Sequence, residues 1–536
     1  MTALVSLLRR NLEVLPGLFL LFLLVAPYWF SLPVWDGQAF VECVRGAAHE
    51  TFQWQNFLCY AHPTLFFVTL FAIPEYYFPG SVFLMHTLMF VLGAASVLAF
   101  SALCRLFFPT ASRLFRSLCV MLFALQPVIV SNLIDYNFDS GVTIFFVILL
   151  ALLLHGHEKW AVLVGIMMVF TKESGVMLYG LTLIGFWMFS VRTAHHFLPA
   201  ALKAGLRRFW LLLPLFLYGF HELLQHHLGN TLLHDDTAPG ALLHAMLSID
   251  LLHERFLTFL TEILLFQFTW FQTAITLCGL LLWFWQRDIG RKSTKHAASV
   301  GFIAFLYLTG IYSLTRYVPY NNVRYLMPLF PLGILLFSES ALAIGRKGKV
   351  SVALLMVAVI LSGVSMFRSV DPVSAELLGT FLFGSHQMYA LGTKDDCCLM
   401  GRDQLAYNLE YRKLFTLQDR AFQRIRPGSG TIIAFPPDAY RSHRDPIDPV
   451  TFRRTWSPTG FFPVYLLIDD IPMMDTPPKE FSFIDFPNLP DDAAKAAVEE
   501  RYDIAISERI SDGGYSIGLI RYVLKPETSR SSAKKP

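Results

Sequence analysis

The sequence predicts a multi-span α-helical membrane protein of about 11 transmembrane helices followed by a water-soluble α+β domain. Of the 536 residues, 54% are hydrophobic and only 15% are charged. Eleven apolar runs approach the roughly 20 residues that a membrane-spanning helix needs. The charged fraction rises from about 11% before residue 368 to about 26% after it, and roughly 25% is usual for soluble domains. This composition excludes a disordered chain, and a net charge of +3 gives no reason to expect a nucleic-acid partner.

The predicted spans are eleven apolar runs. They cover residues 14–30, 81–104, 116–133, 140–155, 160–171, 175–191, 209–225, 260–286, 298–314, 325–343 and 350–367. A twelfth apolar run, residues 63–78, begins with His-Pro and ends in Glu-Tyr-Tyr-Phe-Pro-Gly. We expect this shorter run to be interfacial or re-entrant.

The distribution of basic residues predicts the orientation in the membrane. With eleven spans, 17 of the 22 lysine and arginine residues before residue 368 lie on one side, which the positive-inside rule makes cytoplasmic. Counting residues 63–78 as a span would place most later basic loops on the other side. We therefore predict a multi-pass protein of the plasma (inner) membrane, with a cytoplasmic amino terminus and an extracytoplasmic soluble domain.

The predicted domains follow from this topology. Residues 1–367 form the membrane domain, whose first extracytoplasmic loop, residues 31–80, holds juxtamembrane helices. Residues 368–525 form the α+β domain, because residues 431–435, 464–469 and 515–524 are β-branched and aromatic while residues 491–501 have a helical pattern. The polar tail at residues 526–536 is expected to be disordered.

Six ionisable residues lie at the predicted outer boundary of the membrane. Such groups are costly near membrane depth and are functional candidates by default. The six are Asp36, His62, Asp139, Lys172, Arg316 and Arg324.

Each of the six also has an ordinary structural interpretation. Asp36 and Asp139 are suited to cap helices. Lys172 has a neighbouring acid, Glu173, with which it can pair, and Arg316 and Arg324 flank helices. A histidine at an interface, such as His62, often does no more than donate a hydrogen bond.

Carboxylates and isolated cations at one membrane face suit a transferase with a lipid-phosphate donor. The lipid tail enters from the bilayer, and lysine or arginine holds its phosphate at headgroup level. A carboxylate accepts the proton of the attacking hydroxyl. The chain has no phosphate-binding glycine loop and no Rossmann fingerprint, so no nucleotide site is predicted.

No metal site and no other cofactor is predicted, although acidic loops are compatible with a divalent metal. The adjacent cysteines Cys397 and Cys398 lack a second pair at zinc spacing, and the histidines between His221 and His253 are irregularly spaced. Cys43 and Cys59 flank a polar loop and can form a disulfide if that loop faces an oxidising compartment.

Five short motifs resemble bacterial membrane glycosyltransferases of the GT-C superfamily, in the branch of protein O-mannosyltransferases and lipid A aminoarabinose transferase. The motifs follow in the family's order across about residues 14–343. They are Asp36 after the first helix, His62-Pro63-Thr64-Leu65, the segment ending at Asp139, Thr171-Lys172, and Arg324-Tyr325-Leu326-Met327-Pro328. One departure is Gly37, since the family commonly has Asp-Glu where this chain has Asp36-Gly37, and this weakens any case for a metal-binding acidic pair.

The resemblance implies an inverting glycosyltransferase that takes a sugar from a polyprenyl-phosphate carrier. Its acceptor would be a lipid, glycan or protein at the extracytoplasmic face. In the predicted site Asp36 and Asp139 are catalytic, with Asp36 as base, whereas His62, Lys172, Arg316 and Arg324 bind the lipid phosphate. Two alternatives stay open: a secondary transporter or lipid-carrier flippase, and a ligase that transfers whole glycans from a diphosphate carrier. No internal repeat of the kind common in transporters is found in the sequence.

Overall fold

The fold is described from a computed structural model. The structure describes residues 12–29, 36–49, 58–59, 62–79, 81–190, 205–227, 269–287, 294–317, 323–345, 348–367, 371–383, 386–389, 417, 420–421, 424–425, 432–435, 464–486, 492–512 and 515–526.

Each of the eleven apolar runs contains helix. In chain order the helices of this region are α1 (Leu15–Val25), α2 (Asp36–His49), α3 (Leu65–Tyr77), α4 (Val82–Phe107), α5 (Arg113–Ala124), α6 (Pro127–Ile134), α7 (Phe138–Leu154), α8 (Glu158–Val169), α9 (Glu173–Ser190), α10 (Leu213–His227), α11 (Thr269–Arg287), α12 (Thr294–Tyr317), α13 (Phe330–Ile344) and α14 (Lys349–Ser365). Short 3-10 helices at Phe209–Leu212 and Val323–Leu329 precede α10 and α13.

Three of the described helices are long and apolar enough to cross a membrane by themselves. They comprise residues 82–107, 298–316 and 324–344, the last including the 3-10 turn before α13. The bent pair α5 and α6 makes a fourth when counted as one span, and six further apolar helices are shorter. The chain is a multi-pass membrane protein, and the total of eleven spans stays a prediction.

The run predicted as one span over residues 116–133 is two helices. α5 and α6 meet at an angle of 52°. Pro127 is the first residue of α6 and has no N–H to continue the hydrogen bonding of α5. It also forces Gln126 into an extended conformation, with ψ at 113°. The hydrophobicity of the run was a correct signal for helix, but the proline breaks it.

The two helices that the sequence predicts to be juxtamembrane, α2 and α3, pack on each other. A two-residue antiparallel ladder joins Leu58–Cys59 (β1) to His62–Pro63 (β2) immediately before α3. α3 has 13 residues and is therefore about 20 Å long, too short to cross a hydrocarbon core of about 30 Å. The helix α8, which belongs to a predicted span, has only 12 residues, so the exclusion of residues 63–78 from the spans stays a prediction.

The centre of the membrane domain is formed by α7, which packs against α4, α8 and the 3-10 turn Val323–Leu329. Nearly every residue of α7 is buried, and the same is true of α13. One continuous apolar cluster includes residues from most of these helices. Polar groups at the ends of these helices are therefore held by a rigid scaffold.

The region after the membrane helices contains a five-stranded mixed sheet. A short helix, α15 (Pro372–Leu378), and a hairpin, Thr380–Phe383 (β3) with His386–Tyr389 (β4), come first. The strands of the sheet are β5 (Ile432–Phe435), β6 (Val464–Leu467), β7 (Glu480–Asp485), β8 (Tyr502–Asp512) and β9 (Tyr515–Leu524). Their order in the sheet is β6-β5-β7-β9-β8. β5 is parallel to both neighbours, and β9 is antiparallel to β7 and β8.

Two of these strands were not predicted. β7 is bounded by charged residues, and residues 503–509 of β8 are exposed. β8 is an edge strand, so it lacks the apolar run that identifies a central strand. The predicted helix at residues 491–501 is α16 (Asp492–Arg501), whose Val498 packs into the core of the sheet. The predicted disordered tail lies outside the described residues except for Pro526.

Candidate active site

The first element of the candidate site is the turn that leads into α7. Asn137 is the N-cap, and its side-chain oxygen accepts a hydrogen bond from the Asp139 N–H at 3.0 Å. Tyr136 has a φ of 54°, a left-handed conformation that is uncommon for a bulky residue. Its hydroxyl donates to the Val82 carbonyl at 3.0 Å and holds the turn against α4. Because Asn137 does the capping, the Asp139 carboxylate is free of that role.

The Asp139 carboxylate forms a buried ion pair with Lys172, in the break between α8 and α9. Lys172 Nζ donates to Oδ1 at 3.0 Å and to Oδ2 at 2.9 Å. Both side chains are only 3% exposed. The two predicted site residues are 33 positions apart in the chain, and the structure brings them into direct contact.

A second cation, Arg324, completes the cluster from a distant part of the chain. Its Nε lies 3.5 Å from Asp139 Oδ2, and its side chain is 13% exposed. The ring of Tyr325 lies under both cations, with Lys172 Nζ 4.5 Å and Arg324 Cζ 5.1 Å from its centre. The Val323–Leu329 turn provides both Arg324 and Tyr325, and it packs on α7.

We call Asp139, Lys172 and Arg324 the charge cluster. One negative and two positive side chains give it a formal charge of +1. In surroundings with little water this positive charge favours a bound anion, and guanidinium and ammonium groups are the usual protein ligands of phosphate.

The start of α3 is fixed to the charge cluster through the backbone. The Phe66 N–H donates to the Phe170 carbonyl at 3.1 Å, two residues before Lys172. Close packing of α3 on α7 requires Gly141, because a Cβ there would lie 2.6 Å from the Phe67 ring and 2.9 Å from Thr171 Cγ2. This contact is half a helical turn from Asp139.

Asp36 is the first residue of α2, and this helix approaches the start of α7. Phe40, one turn after Asp36, stacks on Phe138 with ring centres 3.7 Å apart. Phe138 immediately precedes Asp139. The structure thus brings the beginning of α2 to the end of α7 that holds the charge cluster, although the Asp36 side chain lies outside what the structure describes.

The two other predicted site residues lie on neighbouring segments. His62 pairs with Cys59 in the β1–β2 ladder, three residues before α3, and its side chain is not among those described. Arg316 is half-buried in the last turn of α12, a helix that packs against the turn holding Arg324. Asp139, Lys172 and Arg324 make direct contact, whereas Asp36 and His62 are placed by their backbone and Arg316 by the packing of α12 on the Val323–Leu329 turn.

Sequence reasoning missed two residues of the site. Tyr325 was recognised only as part of a motif, yet its ring contacts both cations. Its position directly after an arginine at the membrane boundary was the available signal. Asn137 was missed as the cap, although a cap residue two positions before an acidic first turn is a familiar pattern. Among the described residues, no three histidine, cysteine or acidic side chains form a group able to hold a metal ion.

Comparison with known proteins gives similarity at the level of the fold. No protein-family model and no curated protein sequence matches the chain. ArnT from Cupriavidus metallidurans in the apo state is 12% identical, with a TM-score of 0.50 over 94% of this chain and 97% of ArnT. The same protein bound to undecaprenyl phosphate gives a TM-score of 0.48 over 95% and 97%.

At 12% identity this likeness concerns architecture alone. It extends over both the helical region and the sheet, because nearly the whole of each chain is aligned. The five motifs noted in the sequence therefore occur in a chain that has the fold of ArnT.

Proposed function

We propose that this protein is an integral-membrane glycosyltransferase of the inner membrane that takes a sugar from a polyprenyl-phosphate donor. The observation that supports it best is the buried charge cluster, one carboxylate with two cations, in a chain with the fold of ArnT. ArnT has been crystallised with undecaprenyl phosphate, a ligand of the same chemical class.

In the proposed reaction Lys172 and Arg324 hold the donor phosphate. An acceptor hydroxyl attacks the anomeric carbon, the bond from that carbon to the phosphate oxygen breaks, and the configuration inverts. Negative charge grows on the departing phosphate, and two cations fixed in a water-poor site stabilise it more than they stabilise the intact donor. Arg316, in the adjacent α12, and His62, before α3, are proposed as further phosphate ligands.

The geometry favours a positioning role for Asp139 rather than the catalytic role expected from the sequence. Both of its oxygens accept hydrogen bonds from Lys172, and Arg324 lies beside one of them. The carboxylate is thus occupied by the two cations that hold the phosphate in the proposed reaction. We propose that Asp139 orients Lys172 and Arg324 for the phosphate.

Asp36 is the proposed base. It begins α2 close to the amino end of α7, as the stacking of Phe40 on Phe138 shows for the backbone. A carboxylate at that position can accept the proton of the acceptor hydroxyl while the charge cluster holds the leaving group.

The proposed orientation places the charge cluster and the β-sheet region outside the cytoplasm. Cys43 of α2 is disulfide-bonded, which is usual in an oxidising compartment. The strand that holds Cys59 contacts the same helix, although the Cys59 side chain is not described. This supports an extracytoplasmic first loop, in agreement with the distribution of basic residues.

The experiment is a transfer assay in membranes with mass spectrometry of lipids and glycans. Asp36→Asn should abolish transfer while the protein still inserts, and Glu42→Gln in the same helix is the matched control. The product should gain one sugar residue. Unchanged transfer by Asp36→Asn would remove Asp36 from the mechanism, and gain of a whole glycan would favour the ligase alternative.

A further inference from the structure

A groove of about 810 Å³ lies on the membrane domain, away from the charge cluster. The beginning of α8 forms one wall, and the 3-10 helix Phe209–Leu212 with the start of α10 forms the other. Its charged lining residues are Glu158 and Lys159, and Trp160, Trp210 and Leu213 provide most of its large apolar side chains. Ligand sites commonly have volumes of roughly 300–1,000 Å³, so the groove is large enough for a small amphiphile.

The groove and the charge cluster lie at opposite ends of the same helix, α7. Asp139 is in its first turn, and the groove begins two residues after its last residue, Leu154. Seventeen helical residues extend about 26 Å, close to the thickness of the hydrocarbon core of a bilayer. The groove therefore lies at the opposite membrane boundary, which in the proposed orientation is the cytoplasmic one.

Two large aromatic side chains at the groove are suited to this boundary. Trp160 is 63% exposed and Trp210 is 41% exposed. Tryptophan is enriched at the level of lipid headgroups, because the indole has an apolar body and a polar N–H. Together with Leu213 they offer apolar surface for an acyl chain.

The charged residues around the groove are mainly basic. Lys159 and Arg207 are exposed, whereas Arg208 forms a 2.7 Å ion pair with Glu158 and lies over the Phe186 ring. These three basic residues and one acid sum to +2. Arg208 neutralises Glu158, so Lys159 is the charged lining residue whose charge is not balanced by that ion pair, and Arg207 is exposed on the segment just before the 3-10 helix.

We propose that this groove binds an anionic phospholipid of the bilayer. Its phosphate lies near Lys159 and Arg207, and one acyl chain lies along Trp160 and Trp210. A zwitterionic lipid lacks the net charge that complements the groove, and a soluble anion lacks the chain. The proposal depends on the membrane location of the groove and not on the transfer reaction.

The test is native mass spectrometry of the intact protein in detergent, titrated with phosphatidylglycerol or phosphatidylcholine. A basic residue near a membrane surface contributes about fivefold to the affinity for anionic lipid, so Lys159→Gln with Arg207→Gln should weaken phosphatidylglycerol binding about 30-fold. Lys349→Gln is the control, because Lys349 is an exposed lysine that begins a different helix. Trp160→Ala with Trp210→Ala should also reduce binding.

Three results would overturn the proposal. The first is equal binding of phosphatidylglycerol and phosphatidylcholine by the unmodified protein, a comparison that needs no variant to fold. The second is an equal loss of binding in Lys349→Gln and in the double variant. The third is displacement of the lipid by millimolar inorganic phosphate, which would identify the site as one for a soluble anion.

Discussion

Neutralising Asp139 should destabilise the membrane domain far more than neutralising an acid in an exposed ion pair. Asp139→Asn keeps the shape of the side chain but leaves Lys172, 3% exposed, without the carboxylate that binds its Nζ at 2.9 and 3.0 Å. Breaking a buried ion pair from one side costs about 3–5 kcal/mol. We expect the free energy of unfolding to fall by about this amount.

Removing the charges of both Asp139 and Lys172 should recover part of the free energy of unfolding that Asp139→Asn loses. In Asp139→Asn with Lys172→Met, the more deeply buried of the two cations is gone, and Arg324, 13% exposed, is the cation that stays beside the amide. Replacing a whole buried pair by uncharged groups is often close to neutral. We therefore expect a coupling energy of about 2–3 kcal/mol between the two substitutions. The assay is equilibrium unfolding in mixed micelles titrated with SDS, followed by circular dichroism for all three variants.

The matched control is Glu158→Gln at the other end of the same helix pair. Its partner Arg208 lies at 2.7 Å, but the two side chains are 19% and 34% exposed. Exposed ion pairs contribute about 0–1 kcal/mol, so this variant should remain close to wild type. Two results would contradict a buried charge cluster. One is a change in the free energy of unfolding that is no larger for Asp139→Asn than for Glu158→Gln, and the other is simple additivity of Asp139→Asn and Lys172→Met.

Three further variants test other contacts. Gly141→Ala should lower the free energy of unfolding in SDS by about 1–3 kcal/mol, because its Cβ would lie 2.6 Å from the Phe67 ring of α3. Gly180→Ala is the control: a Cβ there has no atom within 4 Å, so the free energy of unfolding should stay within about 1 kcal/mol of wild type. Tyr325→Leu should raise the donor KM roughly 2- to 30-fold, because the ring contacts to Lys172 and Arg324 are lost. Tyr325→Phe keeps the ring, so an equal rise in KM for Tyr325→Phe would show that the cation–π contacts are not the cause. Arg116→Met should lower the free energy of unfolding by about 2–3 kcal/mol, because the buried carboxylate of Glu13 loses its 2.9 Å partner and retains the longer contact to Arg105 at 3.5 Å. An equal effect of exposed Arg113→Met would contradict this.

The helices could be predicted from the sequence because hydrophobicity is a local property. The alternation of basic loops also predicted that Asp139, Lys172 and Arg324 lie at one membrane face, and the structure brings these three together. Their shared location follows from the number of spans between them, which can be counted without knowing how the helices pack.

The contacts inside the site could not be predicted in this way. That Lys172 binds both oxygens of Asp139, and that Asn137 caps α7 in place of Asp139, depends on side-chain packing between segments distant in the chain. Two strands of the sheet were also missed, because the exposed edge strand β8 has a polar sequence and is specified by its pairing with β9. The sequence was sufficient to predict that these three residues come together, but not which atoms make contact.

The wide separation of Arg324 from its partners has a consequence for biogenesis. Asp139 lies in the first turn of α7 and Lys172 lies between α8 and α9, so they can neutralise each other as soon as α7 and α8 have been inserted. Arg324 follows 152 residues after Lys172. At about 5–20 residues per second it leaves the ribosome roughly 8–30 s later. The nascent chain thus passes through a stage in which this pair is electrically neutral, and its affinity for anions is acquired only when the later helices arrive.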